Sequence, residues 1–237
     1  MSRPTGKLWL LALVVIALFC RAGVWQLDRA KQKQAMLAES EKVLAERKAL
    51  PLSAASDATR KAAYDWAAGE GRFASAPAVL LDNQSREDRA GIRVYRIFLP
   101  AAAPPLLVEL GWLPLPGDRK LPAIETPSGP MRVAGLLAPP PSPGIAGSQA
   151  TAQADGNLLA IGLDRAALAD VLKLPTLAPR VLKLDPALKL GYARDLDILP
   201  NTLPPERHLG YAVQWFGLAL AVLITALVLT LRKRRPR

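Results

Sequence analysis

The side chain with the most distinctive chemistry in this chain is His208, because it is the only histidine among 237 residues. It opens an aromatic-rich segment that continues without a charge from Leu209 to Leu231. A neutral imidazole can ligate a metal ion or haem iron, and it can also serve as a polar cap where a helix enters a membrane. The residue type alone leaves both interpretations open.

Other groups with catalytic or metal-binding chemistry are scarce. The single cysteine, Cys20, has no second cysteine with which to form an internal disulfide or a thiolate metal site. A catalytic triad that depends on histidine is not expected, since the one imidazole lies at the start of an apolar segment. Ser85 lies among acidic residues that are typical of a turn, because such side chains bond to the local backbone. The sequence therefore predicts a protein that is not an enzyme.

Two apolar segments position these groups. Leu209–Leu231 is 23 residues long, so as a helix it spans about 34 Å, enough to cross the hydrocarbon core of a bilayer. Near the other end, residues 8–25 are apolar apart from Arg21. That segment also has the length of a signal peptide, but its small residues make a poor cleavage site, so we expect an uncleaved anchor. The sequence predicts transmembrane helices at 8–25 and 208–231.

Basic residues outside the two segments predict their orientation. Residues 232–237 carry five positive charges, and residues 1–7 carry two. Because basic flanks favour the cytoplasm, we expect both termini to be cytoplasmic and residues 26–207 to lie outside the cytoplasm. Basic residues between Arg21 and Lys33 oppose this assignment, but the C-terminal cluster is the stronger signal. The formal charge of +11 comes without a nucleic-acid recognition motif, so we expect the charges to contact the anionic lipid bilayer and not nucleic acid.

Between the two segments, the pattern first predicts a helix and then a β domain. Met36, Val43 and Leu50 recur every seven residues and predict a juxtamembrane helix at 27–50, which Pro51 ends. Short runs of branched and aromatic residues then predict strands at 78–82, 92–99, 106–112, 131–137, 158–161 and 180–184. Asp164 is expected to cap a short helix that ends near Leu172. Residues 138–149, rich in proline, are expected to be a loop.

These elements together predict the fold class. We expect an α+β membrane protein in which N- and C-terminal transmembrane helices flank a small antiparallel β-rich extracytoplasmic domain with one or two helices. The second span has two faces when its residues are placed 100° apart. The first face carries His208, Tyr211, Ala212, Trp215 and Ala219, and the opposite face carries Gly210, Gln214 and Gly217. Small residues and a glutamine favour helix packing, so we expect the second face to pack and the histidine face to look outward.

Several motifs resemble those of one protein family. Gly23-Val-Trp-Gln-Leu-Asp-Arg29 resembles the motif that follows the first span in the Surfeit-locus family of cytochrome c oxidase assembly factors. His208-Leu-Gly-Tyr-Ala-Val-Gln-Trp-Phe216 resembles the motif that opens the last span of the same family. Val108-Glu-Leu-Gly-Trp-Leu-Pro114 and Arg132-Val-Ala-Gly135 resemble two strands between them. The motifs follow the family's order and its two-span layout over nearly the whole chain.

The resemblance implies a biogenesis factor for haem-copper cytochrome c oxidase that binds or presents haem a for insertion into catalytic subunit I. It implies His208 as a ligand of the haem iron, and basic residues after the first span as partners of the propionates. The residues it suggests for cofactor binding are His208, Trp25, Gln26, Tyr211, Trp215 and Arg29, with Lys31 and Lys33 as further basic groups. Subunit I is the implied partner, with haem a synthase as a second candidate. The implied location is a bacterial inner membrane with a periplasmic central domain.

Two other functions stay open beside this one. A scaffold would steady subunit I without touching haem, and an envelope module would bind peptides along a sheet edge. One departure from the family is Leu110, which follows Glu109 at a position where the family commonly has arginine. If that arginine contacts a partner or a propionate, Arg93 and Arg96 on a neighbouring strand are candidates to replace it.

Overall fold

The computed structural model describes residues 4–141, 150–199 and 202–234. They fall into two compact units. The helical unit contains residues 4–38 and 202–234, and the β unit contains the described residues between them. The predicted loop at 138–149 and the basic clusters at 1–7 and 232–237 lie partly outside the described residues.

Two long helices dominate the helical unit. Helix α1 is Pro4–Glu46 and helix α3 is Pro205–Arg234. Both are long and apolar enough to cross a membrane, over Gly6–Glu46 and Pro205–Arg232. The predicted helix at 27–50 is the second half of α1, but its predicted end is wrong. The helix ends at Glu46 because Arg47 adopts a left-handed φ of 43°, and Leu50 joins a strand.

The two helices run antiparallel within the helical unit. The indole nitrogen of Trp9, near the start of α1, donates to the hydroxyl of Thr230, near the end of α3, at 3.0 Å. Farther along α1, the ring of Phe19 lies 5.6 Å from that of Trp215. Gly23 then approaches Phe216 so closely that a Cβ would lie 2.7 Å from the ring. These pairs place the end of α1's apolar stretch beside the start of α3.

The predicted packing face of α3 is wrong. Ala212 and Ala219 are buried and His208 is 6% exposed, so the histidine face packs against α1. Gly210, Gln214 and Gly217 are exposed instead. The physical reason is that aromatic rings fill the space between the helices: Phe19 of α1 packs against Trp215, and Phe216 of α3 lies in the space that Gly23 of α1 leaves open. Close approach of two backbones through the glycines of α3 is not needed.

The β unit is built on a mixed sheet. Its strands are β1 Leu50–Pro51, β2 Asp65–Phe73, β3 Val79–Arg86, β4 Arg89–Pro100, β5 Leu106–Pro114, β6 Met131–Ala138, β7 Ala150–Ala152, β8 Leu158–Ala160 and β9 Val181–Leu184. The order is β1-β2-β6-β9-β5-β4-β3-β8-β7, and an additional pairing of β2 with β4 closes five strands into a small barrel. Short 3-10 helices at Leu52–Ser56 and Ala58–Arg60 precede β2, and helix α2 is Arg165–Val171.

The predicted β-rich centre between two terminal helices is confirmed. All six predicted strands are present, and Asp164 caps α2 by accepting a hydrogen bond from the amide of Ala167 at 2.9 Å. The sheet is not purely antiparallel, because β1–β2, β3–β8 and β5–β9 pair in parallel. Strand β2 was not predicted.

Two apolar clusters hold the β unit together. One contains side chains from all five barrel strands, such as Phe98, Val108 and Leu182. The other lies on the opposite face of β3, β4 and β5, where Leu168 of α2 contributes to it. Alternation along each strand sends successive side chains to the two clusters. The β unit therefore buries both faces of its central strands.

Candidate functional site

His208 lies in the first turn of α3 and faces α1. Its Nδ1 is 2.7 Å from Oε1 of Gln26. Its Nε2 is buried and has no hydrogen-bond partner within the part of the chain that the structure describes. Buried polar atoms nearly always have a partner, so an orphaned imidazole nitrogen calls for a functional explanation. The structure thus joins two of the predicted site residues directly.

Two cations stand close to this pair. Lys33 is 6% exposed, and its ammonium donates a hydrogen bond to the backbone carbonyl of Leu203, just before α3 begins. Arg29 is exposed, and its Nη1 donates to Oε1 of Gln32 at 3.2 Å. Both positive charges act electrostatically on the imidazole. The surroundings of His208 therefore favour an anionic group over a cationic one.

The predicted aromatic residues do not gather around the imidazole. Trp25 is 60% exposed and Tyr211 is 39% exposed. Trp215 is half-buried, and its ring packs against that of Phe19 at an interplanar angle of 39°. Trp25 and Tyr211 are thus left on the surface of the helices, and Trp215 contributes to helix packing two turns beyond His208.

A periodic signal on α1 would have located the site more fully. Gln26, Ala30 and Lys33 follow Gly23 at spacings of three and four residues, and all four residues are buried or half-buried. This spacing marks one face of a helix. Reading it from the sequence would have identified Lys33 as a buried neighbour of Gln26, separate from the exposed Arg29 and Lys31.

The β unit contains a second buried polar cluster, centred on Glu109. Tyr95 and Lys183 stand opposite Glu109 on the two neighbouring strands. The carboxylate of Glu109 accepts a hydrogen bond from Arg93 at 2.5 Å and one from the Tyr95 hydroxyl at 3.1 Å. The ammonium of Lys183 lies 3.6 Å away and donates to the carbonyl of Asp197 at 2.6 Å. This cluster neutralises a carboxylate within the apolar core.

The charges of this cluster shift the pKa values of its members. Burial raises the pKa of Glu109, but the opposing charges of Lys183 and Arg93 outweigh it and hold that pKa below its usual value. Burial raises the pKa of Tyr95 well above its usual value, and the neighbouring Glu109 adds to the effect. Glu109 is therefore ionised and Tyr95 is neutral at physiological pH.

Both candidates to replace the family arginine, Arg93 and Arg96, are engaged in contacts within the β unit. Arg93 is buried and bound to Glu109. Arg96 is buried and donates to the carbonyls of Ala76, Ile124 and Glu125 at 3.0–3.3 Å, which fixes the segment before β6. Leu110 fills the apolar cluster of the barrel. The side chain at that position therefore packs in the core of the β unit.

The ligand set around His208 limits the kind of metal it can hold. Among the described residues there is no group of three or more histidine, cysteine, aspartate or glutamate side chains placed to bind a metal ion. One imidazole does not hold a bare cation against water, but it can complete the coordination of an iron that a macrocycle already chelates. The donor set fits haem better than a free metal ion.

Comparison with protein-family models gives one match. The model of the SURF1 family matches residues 13–220, a range that includes Gln26, His208 and the whole β unit. No curated protein matches the chain significantly.

Proposed function

The chain belongs to the SURF1 family, which is associated with cytochrome c oxidase assembly, and from this premise we propose that it binds or presents haem a for insertion into catalytic subunit I of the oxidase. Subunit I is the proposed partner, and haem a synthase is a second candidate. The proposed location is a bacterial inner membrane, with both termini in the cytoplasm and the β unit in the periplasm.

One observation carries this proposal: Nε2 of His208 is buried without a hydrogen-bond partner among the described residues, while Nδ1 bonds to Gln26. When bound, haem supplies an iron centre with axial positions that a neutral imidazole can fill. Because Nε2 is covered by the protein, the side chains that cover it must move before iron can reach it. The proposal therefore predicts a rearrangement around His208 on loading.

Charge around the imidazole supports the same ligand. The porphyrin of haem a carries two propionates, which are anionic and pair with basic side chains. Arg29 is exposed and bonded to another exposed side chain, Gln32, whereas Lys33 is buried and bonded to the carbonyl of Leu203. Arg29 is thus the better candidate for a propionate contact. Trp25 and Tyr211 expose aromatic surface on which a macrocycle could pack.

The test is the absorption spectrum of the full chain, purified in detergent after coexpression with the enzymes of haem a synthesis. We expect a reduced band of the haem a type in the wild type and its loss in His208→Ala. The matched control is Gln214→Ala, an exposed residue on the same helix, which should keep the band. A band of equal intensity in His208→Ala would refute ligation by this residue.

A scaffold without haem is the second candidate, and one observation favours it. The bond between Gln26 and His208 and the bond between Trp9 and Thr230 tie α1 to α3 near both ends of the pair. Such ties would serve a rigid two-helix platform even without a cofactor. A colourless wild type that still copurifies with subunit I would support the scaffold and refute the haem carrier.

A further inference from the structure

We propose that Gln26 is a positioning residue that selects the tautomer of His208, keeping the hydrogen on Nδ1 and the lone pair on Nε2. Its use toward haem rests on the proposed function, but the tautomer itself is a property of the two helices. Gln26 contacts no cofactor in this role. It acts through the imidazole.

The hydrogen bond determines which nitrogen carries the hydrogen. Oε1 of Gln26 lies 2.7 Å from Nδ1, and an amide oxygen accepts hydrogen bonds without donating them. A neutral imidazole has one N–H group, so a hydrogen on Nδ1 leaves Nε2 as the nitrogen with a free lone pair. In water the commoner neutral form carries the hydrogen on Nε2. The contact thus reverses the ordinary preference.

Burial strengthens this selection. Nε2 is buried with no partner among the described residues, so a hydrogen there would be a donor without an acceptor. In that form Nδ1 would also face the amide oxygen with two lone pairs opposed. With the hydrogen on Nδ1, the lone-pair repulsion is replaced by a hydrogen bond, and Nε2 keeps an unpaired acceptor, the form that can ligate iron. The same arrangement recurs at metal sites, where the second ring nitrogen donates to a fixed oxygen.

Gln26 is placed firmly enough for this role. It lies on the face of α1 that packs against α3, between Gly23, which accommodates Phe216, and the fully buried Ala30. A carboxylate would fix the same tautomer but would add a negative charge beside Lys33 and Arg29. The neutral amide selects the tautomer and adds no charge that would compete with an anionic ligand for the exposed Arg29.

The experiment uses the fact that the chain has one histidine. The full chain is labelled with ¹⁵N-histidine in detergent micelles, without haem, at a pH well above the ordinary imidazole pKa. Long-range ¹H–¹⁵N correlation then shows one imidazole and needs no assignment. We expect a protonated Nδ1 and an unprotonated Nε2 in the wild type. A protonated Nε2 would mean that the amide donates through its NH₂ group, and it would overturn the proposal.

Two variants separate positioning from general packing. Gln26→Leu cannot accept a hydrogen bond, so we expect the hydrogen to move to Nε2 in part or entirely. Gln26→Glu, ionised at this pH, can only accept, so it should restore protonation at Nδ1. Gln214, exposed on the helix that carries His208, is the control. Gln214→Leu should leave the spectrum unchanged. An unchanged tautomer in Gln26→Leu, or a change in Gln214→Leu, would show that Gln26 does not select it.

Haem titration of the same proteins separates this inference from the proposed function. If His208 ligates haem, Gln26→Leu should weaken haem affinity by about 10- to 100-fold, as loss of such supporting bonds does at other metal sites. A wild type that shows the expected tautomer but binds no haem would support the role of Gln26 and refute the haem carrier. A wild type that binds haem but has a protonated Nε2 would support the haem carrier and refute the role of Gln26.

Discussion

The ion cluster around Glu109 allows a quantitative prediction for Glu109→Gln. The substitution preserves the size of the side chain but removes the charge that faces Arg93 and Lys183. Two buried cations then remain without a counterion. Breaking a buried pair in this way costs about 3–5 kcal/mol, so the free energy of unfolding should fall by that amount. Such a loss is a large part of the total stability of an ordinary domain.

The assay is chemical unfolding of the full chain in detergent, followed by the near-ultraviolet circular dichroism of buried aromatic residues. The control is Asp82→Asn, which breaks the pair with Arg119, a residue whose side chain is 63% exposed. Exposed pairs contribute about 0–1 kcal/mol, so the control should change little. A triple variant, Arg93→Met, Glu109→Leu and Lys183→Met, removes all three charges of the cluster. It should recover much of the loss, because apolar side chains often replace buried ion pairs without penalty.

The result that would refute this reasoning is a loss below about 1 kcal/mol in Glu109→Gln, equal to that of an exposed pair. It would mean that water reaches the carboxylate and that the cluster is not buried in solution.

Two further predictions concern pH and the helical unit. The pKa of Asp65, like that of Glu109, is lowered, because bonds and charges from Arg60 and Arg180 outweigh the effect of burial. The stabilisation that Asp65 and Glu109 contribute is complete above the ordinary carboxylate pKa and is lost as the pH falls through their lowered pKa values. Acidification below about pH 4 should therefore lower the midpoint of unfolding, and the midpoint should fall less steeply with pH in Glu109→Gln. Thr230→Val removes the acceptor of the Trp9 indole and should cost about 0.6 kcal/mol, measured as the coupling with Trp9→Phe in a double-mutant cycle. A coupling of zero would contradict the interhelical bond.

Local sequence patterns were sufficient to predict the strands that are rich in residues of high strand propensity. The run from Ile92 to Leu99 is rich in branched and aromatic residues, and it lies within β4. Strand β2 escaped prediction because Ala67, Ala68, Gly69 and Gly71 have low strand propensity. Those small residues are needed by the tertiary structure, since Gly71 lies against the backbone of Leu99 where the barrel closes.

Long-range pairings were beyond the reach of local patterns. The parallel pairing of β5 with β9 joins Val108 to Leu182, and nothing near either residue specifies the other. The face of α3 was mispredicted for a related reason. In a membrane, apolar burial does not choose a packing face, so the choice depends on the partner helix. On α1, the ring of Phe19 packs against Trp215 and the absence of a side chain at Gly23 leaves space for Phe216, and these two contacts fix the packing face of α3.

The short strands at the two ends of the sheet limit how copies of this chain in one membrane can pair with each other. Proteins held in a bilayer meet their neighbours far more often than freely dissolved ones do, and an exposed strand invites a second copy to pair with it. Here the two strands at the ends of the sheet order, β1 and β7, are two and three residues long, and β1 includes a proline. Short, proline-bearing ends offer few free amide and carbonyl groups. The two ends of the sheet thus offer a second copy little strand backbone with which to pair.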